Sequence, residues 1–189
     1  MKTLDLSDII PIAEYEKQRD ARRKAAMELR ARRLVQLGDK LALHFETRDT
    51  LIYQIQEMMR VENMTSVDAI LEEIEIYGEM LPRDGTLSAT LFIQLTNDTD
   101  LRKWLPVFTK LEGNLALNIG GESVQAEFEQ GRTREDKTSS VHYIKFRLSE
   151  KQRTAMTKEP AEFVCTLKEY KQSSPVGEAL RKELLADLT

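Results

Sequence analysis

Apolar and polar residues alternate in several short segments of the chain, as they do in strands that bury one face and wet the other. The clearest segment covers 87–95, where every second residue is apolar. Segments 40–46 and 163–167 show the same period of two. The first of these follows segment 34–37 across positions 38–39, which predicts a two-residue hairpin turn. Hairpins of this kind predict a largely antiparallel sheet.

A second hairpin predicts its own register. A two-residue turn at positions 120–121 places Leu117 opposite Val124 and Leu115 opposite Ala126, so that apolar residues face apolar residues. We therefore expect two strands that meet at this turn, with the second strand running unbroken past Ala126.

Helical periodicity, with apolar residues three and four positions apart, separates these strands. It predicts helices over 11–33, 48–61, 66–81, 98–108, 149–158 and 175–188. The third of these is expected to begin at a capping box of Thr65 and Asp68. Val67, Leu71 and Ile74 are expected on its buried face. Its opposite face is acidic, with Asp68, Glu72, Glu75 and Glu79.

Six or seven strands and five or six helices result, which places the chain in the α+β class. We expect a largely antiparallel sheet with helices packed on one face and a long N-terminal helix. The 189 residues fit a single domain over 1–189, with 11–33 as an appendage or a dimer arm. We expect a cytoplasmic protein with no membrane partner, since no apolar run could span a bilayer and no signal-peptide core is present.

Charge is divided unevenly along the chain. Segment 17–33 carries eight cations and two anions, an excess of +6, whereas the whole chain carries −4 and the remainder therefore −10. The cations of this basic helix include Arg19, Arg22, Arg23 and Arg30. Such a helix can neutralise nucleic-acid phosphates, or pair with the acidic face of 66–81 within one chain or across a homodimer. We favour the pairing, because no aromatic residues interleave with the cations for base stacking.

The sequence lacks the common motifs of catalytic and metal-binding sites. The chain has no nucleophile elbow and no phosphate-binding glycine loop. Its single cysteine, Cys165, excludes an intrachain disulfide. Neither His44 nor His142 has a second histidine or cysteine at ligand spacing, so we expect no metal and no cofactor. We expect His142 and Cys165 to be inward-facing strand residues. An alternative stays open, in which a site assembles in three dimensions from Glu57, Glu73, His44 and His142.

The polar side of helix 48–61 is the candidate interaction surface. It combines Arg48, Tyr53, Gln54, Glu57 and Arg60. Tyrosine and arginine are favoured anchors at interfaces. The same residues also fit a solvated face with pairs inside the helix, such as Glu57 with Arg60.

A resemblance to a known family lies in segments 6–11, 45–50, 54–60, 87–92 and 140–143, the last with Phe146. These segments are similar to a bacterial domain-of-unknown-function family, the one numbered three thousand five hundred and one. The resemblance covers nearly the whole chain and implies a single-domain bacterial protein with no established reaction. Because genes of this family are often encoded beside rubrerythrin and an iron–sulfur oxidoreductase, it also implies a peroxide or redox context.

Together these observations favour a non-enzymatic accessory or interaction protein. We expect it to be a homodimer that serves a redox or oxidative-stress pathway, with a redox protein as its partner. The two alternatives are the metal-binding protein or enzyme described above and a nucleic-acid binder that uses helix 17–33.

Overall fold

The computed structural model describes residues 3–129 and 139–188, so the charged loop predicted over 129–138 lies, except for Glu129, outside the described residues. The helices are α1 (Ile12–Arg32), α2 (Arg48–Val61), α3 (Val67–Gly78), α4 (Asp98–Phe108), α5 (Glu150–Met156) and α6 (Glu178–Asp187). The strands are β1 (Leu34–Leu37), β2 (Leu41–Phe45), β3 (Thr86–Ile93), β4 (Leu115–Ile119), β5 (Glu122–Gln125), β6 (Glu127–Phe128), β7 (Val141–Arg147), β8 (Ala161–Leu167) and β9 (Tyr170–Pro175).

The strands of the described residues form two antiparallel sheets. The five-stranded sheet has the order β1-β2-β3-β7-β6, and the four-stranded sheet has the order β5-β4-β8-β9. The α+β class and the antiparallel pairing are confirmed, whereas the expected sheet of six or seven strands is divided in two. The predicted strand after the turn at 120–121 splits at Ala126, because β5 pairs with β4 and β6 pairs with β7. Strand β9 was not predicted, since Tyr170 is its only buried side chain.

The two sheets enclose the main apolar core. Phe45, Phe146 and Phe163 meet there with ring centroids 5.1–6.2 Å apart. His142 and Cys165 point into the same interior and are 2% and 1% exposed, which confirms their inward orientation. The register predicted for the second hairpin is also confirmed, with Leu117 opposite Val124.

The first hairpin has a longer turn than predicted. Leu37 pairs with Leu41, so three residues connect β1 and β2. Gly38 adopts a φ of +66°, a conformation that glycine tolerates best. The Tyr170 hydroxyl accepts a hydrogen bond from the Lys40 amide and donates one to the Leu37 carbonyl, both at 2.8 Å. The turn is therefore held against β9.

Helix α2 has the predicted bounds, and α3 does not. Thr47 and Thr50 cap α2 reciprocally, each side-chain oxygen accepting from the other's backbone amide. Helix α3 follows Ser66 without a side-chain cap and ends four residues before Pro82, so the predicted capping box is wrong. Two residues expected in its core, Val67 and Leu71, are 53% and 45% exposed.

Helix α1 packs along α2 and reaches α6. At its C-terminal end Arg33, which is 2% exposed, makes two hydrogen bonds to the carboxylate of Asp187 at 2.7 and 2.9 Å. It also contacts the side chain and the carbonyl of Glu183. Among the described residues, no helix combines the length and the apolar composition that a membrane span requires.

Candidate functional site

The outer face of the five-stranded sheet, which points away from the sandwich core, is polar. Two rows of side chains cross it: His44, Thr90 and Tyr143 in one row, and Glu46, Ser88, Lys145 and Glu127 in the next. Helices α2 and α3 cover much of this face, so that Glu46, Ser88 and Thr90 are 1–3% exposed. We call the group formed by Arg30, His44, Glu46, Thr50, Ser88, Thr90 and Tyr143 the polar layer.

Glu46 is the centre of the polar layer. The Thr50 hydroxyl donates to its Oε2 at 2.5 Å, and the Gln54 amide donates to the same oxygen at 3.1 Å. The Thr90 hydroxyl donates to Oε1 at 2.6 Å. A buried carboxylate is tolerated when donors of this kind replace water. Glu46 therefore fastens the start of α2 to the sheet and is not open to a ligand.

His44 and Arg30 lie beside this carboxylate and are less completely paired. His44 Nδ1 and Arg30 Nε are buried and have no hydrogen-bond partner among the described residues. Burial lowers the pKa of His44, the positive charge of Arg30 lowers it further, and Glu46 opposes both. His44 is therefore a neutral imidazole at pH 7. Burial raises the pKa of the neighbouring Tyr77 to about 12, so its phenol stays protonated.

The four residues of the predicted metal or catalytic site do not assemble. His44 pairs with Thr90 and His142 with Leu91, and adjacent residues of one strand point to opposite faces. Glu57 is already engaged by the Arg19 guanidinium, with two hydrogen bonds of 2.9 Å. Within residues 3–129 and 139–188, no group of three or more histidine, cysteine, aspartate or glutamate side chains could hold a metal ion.

The candidate interaction surface on α2 is divided among three environments. Gln54 turns to Glu46 in the polar layer. Glu57 accepts from the Tyr15 hydroxyl at 2.7 Å, and Arg60 lies 3.6 Å from the same carboxylate, so both contact the α1 side. Only Arg48 and Tyr53 line a cavity, a cleft between α1 and α2.

The basic helix directs half of its cations inward. Arg19, Arg22, Arg30 and Arg33 are buried or half-buried, whereas Lys17, Arg23, Lys24 and Arg32 are exposed. Since Asp20 and Glu28 are also exposed, the solvent side of 17–33 carries an excess of only two positive charges. Of the inward cations, Arg19 pairs with α2 and Arg33 with α6. The described residues show no ion pair with the acidic face of α3 in the same chain, where the sequence led us to expect one. This distribution weakens the case for a nucleic-acid surface.

A groove of about 670 Å³ lies between α3 and strands β3, β7 and β6. Five exposed carboxylates surround it: Glu72, Glu75, Glu79, Glu127 and Glu129. Its apolar lining comes from Ile76, Met80, Phe128 and Tyr143, and Lys145 is the one cation among the lining residues within 3–129 and 139–188. We call this feature the acidic groove. It adjoins the polar layer, because Ser88 and Tyr143 belong to both.

Comparison with known proteins places the chain in a family. A family model described as a protein of unknown function (DUF3501) matches residues 3–188. The chain belongs to this family. The resemblance drawn from the sequence segments is thereby confirmed. No curated protein matches the chain.

A solved relative supports the fold of this family member. A crystal structure of a protein of unknown function from Burkholderia pseudomallei is 28% identical to the chain. It covers 100% of both chains with a TM-score of 0.92. The arrangement of two sheets and flanking helices is therefore shared with an experimental structure.

Sequence reasoning missed the acidic groove and the polar layer. The groove combines α3 with residues 127–129, which are more than 45 positions away, so no local pattern could place them together. A signal for Glu46 was present, since it follows an apolar strand and precedes the threonine cap of α2. A charged residue between two buried elements needs nearby donors, and Thr50 and Gln54 supply them.

Proposed function

We propose that this protein is a non-enzymatic accessory protein that binds a partner protein through the acidic groove. The occupant that fits the groove is a lysine- or arginine-rich amphipathic segment of another protein. The observation that carries the proposal is the combination of a carboxylate rim with an apolar lining in one groove of about 670 Å³.

Charge favours a cationic segment. Five glutamates surround the groove, and Lys145 is the one cation among the lining residues that the structure describes. Glu127 also lies 3.5 Å from Arg147, so its carboxylate contributes less to the attraction. Complementary charge across an interface accelerates association and selects against anionic partners. The buried and half-buried side chains Met80, Phe128 and Tyr143 offer apolar surface on which a partner's side chains can pack.

Helix α3 exposes apolar side chains both in the groove and outside it, which favours a polypeptide over a small molecule. Ile76 in the groove wall is 56% exposed. Leu71 and Val67 are 45% and 53% exposed on the same helix, on the other side of its acidic face from Ile76. Exposed apolar side chains grouped on one element mark protein-binding surfaces.

The groove is assigned to a different protein and not to α1 of a second copy. An exposed excess of two positive charges on 17–33 gives weak complementarity to five glutamates. The predicted homodimer stays a separate proposal, to be tested by measuring the mass of the protein in solution.

A redox pathway is compatible with a binding role. Cys165 is the only cysteine, it is buried, and burial raises the pKa of its thiol. A buried protonated thiol is a poor nucleophile. We therefore propose that a redox function implied by the family resemblance is carried out by the partner, which this protein holds.

Peptide binding tests the proposal. The probe is a fluorescent amphipathic helix of leucine and lysine, about five turns or roughly 18 residues long, and matched peptides carry glutamine or glutamate in place of lysine. We expect the lysine peptide alone to bind. The double variant Glu75→Gln/Glu79→Gln should weaken it about tenfold, and added salt should weaken it further.

Matched variants separate the groove from general acidity. Glu112→Gln/Glu169→Gln removes two exposed carboxylates outside the groove and should leave binding unchanged. Ile76→Thr should weaken binding, whereas Val61→Thr, at a site that is 69% exposed on α2, should not. Equal losses in the two double variants, or binding of the glutamine peptide as tightly as the lysine peptide, would contradict the proposal.

A further inference from the structure

A second cavity, about 480 Å³ in volume, lies between α1 and α2. Three guanidinium groups line it, those of Arg22 and Arg32 on α1 and Arg48 at the start of α2. Two carboxylates, Asp8 and Asp49, line the same cavity. The cations therefore exceed the anions by one. We call this cavity the arginine cleft.

Small residues open the arginine cleft. Ala25 and Ala26 stand on α1 where its neighbours are long arginine and lysine side chains. Ile52 of α2 and Leu29 of α1 complete an apolar wall. The cleft thus joins an apolar surface to charged hydrogen-bond donors, a combination typical of sites for small organic ligands.

Most polar groups of the cleft are already paired. Arg48 contacts Asp8, and Arg32 donates to Glu183 at 3.0 Å. Arg22 donates through Nε to Gln18 at 3.1 Å, and no other partner of its guanidinium is found among the described residues. The two terminal nitrogens of Arg22 and the buried Nε of Arg48, which has no hydrogen-bond partner among the described residues, are donors left for a ligand.

The walls of the cleft are fixed before any ligand arrives. The side-chain amide of Gln56 accepts from the Ile10 amide at 2.8 Å and donates to the Ile10 carbonyl at 3.1 Å. Tyr15 is held by its hydrogen bond to Glu57, which Arg19 also binds. A preformed site loses less entropy when it binds.

We propose that the arginine cleft binds a small organic anion, one carboxylate or phosphate group on a compact apolar body. The anionic group lies against the terminal nitrogens of Arg22 and the guanidinium of Arg48. The fork of a guanidinium matches the paired oxygens of such a group. The apolar body packs on Ala25, Ala26 and Ile52, and the Tyr53 ring flanks it.

Calorimetric titration with benzoate and phenyl phosphate tests the proposal, with benzyl alcohol and inorganic phosphate as references. At least one aromatic anion should bind about tenfold more tightly than both references, and the stronger of the two tells whether the site prefers a carboxylate or a phosphate. Absence of binding by both aromatic anions would overturn the proposal. Inorganic phosphate binding as tightly as phenyl phosphate would also overturn it, since the apolar wall would then contribute nothing.

Neighbouring residues of α1 provide matched controls. Arg22→Gln should weaken binding about tenfold, whereas Arg23→Gln, on the exposed side, should not. Ala25→Leu should block the cleft, whereas Ala21→Leu, which does not line it, should leave binding intact. Equal losses within either pair would overturn the proposal. The groove variant Glu75→Gln/Glu79→Gln should bind the anion normally, so this test is independent of the peptide experiment.

Discussion

The two faces of the five-stranded sheet are built from different chemistry although helices or the second sheet cover both. The face toward the sandwich carries Leu91, Ile144 and Phe146, which are at most 1% exposed. The face toward the helices carries Glu46 and Thr90, which are 1% and 3% exposed. Water is therefore excluded from the centre of both faces, yet one face is apolar and the other is a network of hydrogen bonds.

This contrast separates two ways of fixing a sheet. Apolar packing on the sandwich face is non-directional and scales with the area buried. On the helix face each polar group needs a partner at the correct distance, so a change of one atom leaves another group unsatisfied. We expect the sandwich face to dominate the free energy of unfolding and the helix face to determine where α2 sits.

Phe146→Ala should produce the largest loss of stability. Its ring is fully buried between Phe45 and Phe163, so truncation leaves a cavity and should lower the free energy of unfolding by about 3–5 kcal/mol. Denaturant unfolding followed by circular dichroism measures this change. The matched control is Phe92→Ala, on the other face and half-buried beside His44. A loss at Phe92 as large as that at Phe146 would contradict the assignment of the two faces.

Glu46→Ala should cost less than Phe146→Ala, about 1–3 kcal/mol, because the buried hydroxyls of Thr50 and Thr90 lose their acceptor. A double-mutant cycle of Glu46→Gln with Thr90→Val isolates the direct interaction. A coupling of about 0.5–3 kcal/mol is expected for two groups in contact. If the two substitutions simply add, the hydrogen bond between Thr90 and Glu46 does not stabilise the polar layer.

The sequence predicts local structure well where one residue decides it. The start of α2 is set by the Thr47 cap next to it in sequence, and the register of β4 and β5 follows from apolar residues facing each other. Prediction from the sequence fails where contacts between distant elements determine the structure. Alternation marks which side chains of β3 are polar, but it does not show that Thr90 is buried and bonded to Glu46, 44 positions away. No local sequence pattern near Ala126 indicates that the chain passes from the four-stranded sheet to the five-stranded sheet there.

The candidate sites show the same limit. Arg22 and Arg23 are adjacent cations of one helix, and a charge count treats them alike. Because α1 packs on α2, the side chain of Arg22 lines the arginine cleft, whereas Arg23 is exposed to solvent. The sequence also did not predict the exposure of Val67. Apolar periodicity shows which side chains share a side of a helix, but it does not show whether another element covers that side.

Acidification should reveal His44 through a smaller effect on stability. Burial and the charge of Arg30 set its folded pKa below the ordinary histidine value of about 6.5. At pH values between the folded and the unfolded pKa of His44, the unfolded chain binds more protons than the folded protein. The free energy of unfolding therefore falls as the pH drops below about 6.5 and levels off below the folded pKa. The measurement compares wild type with His44→Gln between about pH 8 and pH 5. An identical acid loss in both proteins would show that His44 is not the responsible group.

The smallest effect should come from Leu71→Ala on the open side of α3. Because Leu71 is 45% exposed, its truncation should change the free energy of unfolding by about 0.5 kcal/mol or less. Ile74→Ala, three residues along the same helix and 7% exposed, should lower it by about 2–5 kcal/mol. Denaturant unfolding of the two variants compares the sides of α3 directly. A large loss at Leu71 in the isolated protein would mean that this side already packs against something, and would remove Leu71 from the exposed surface that α3 offers to a partner.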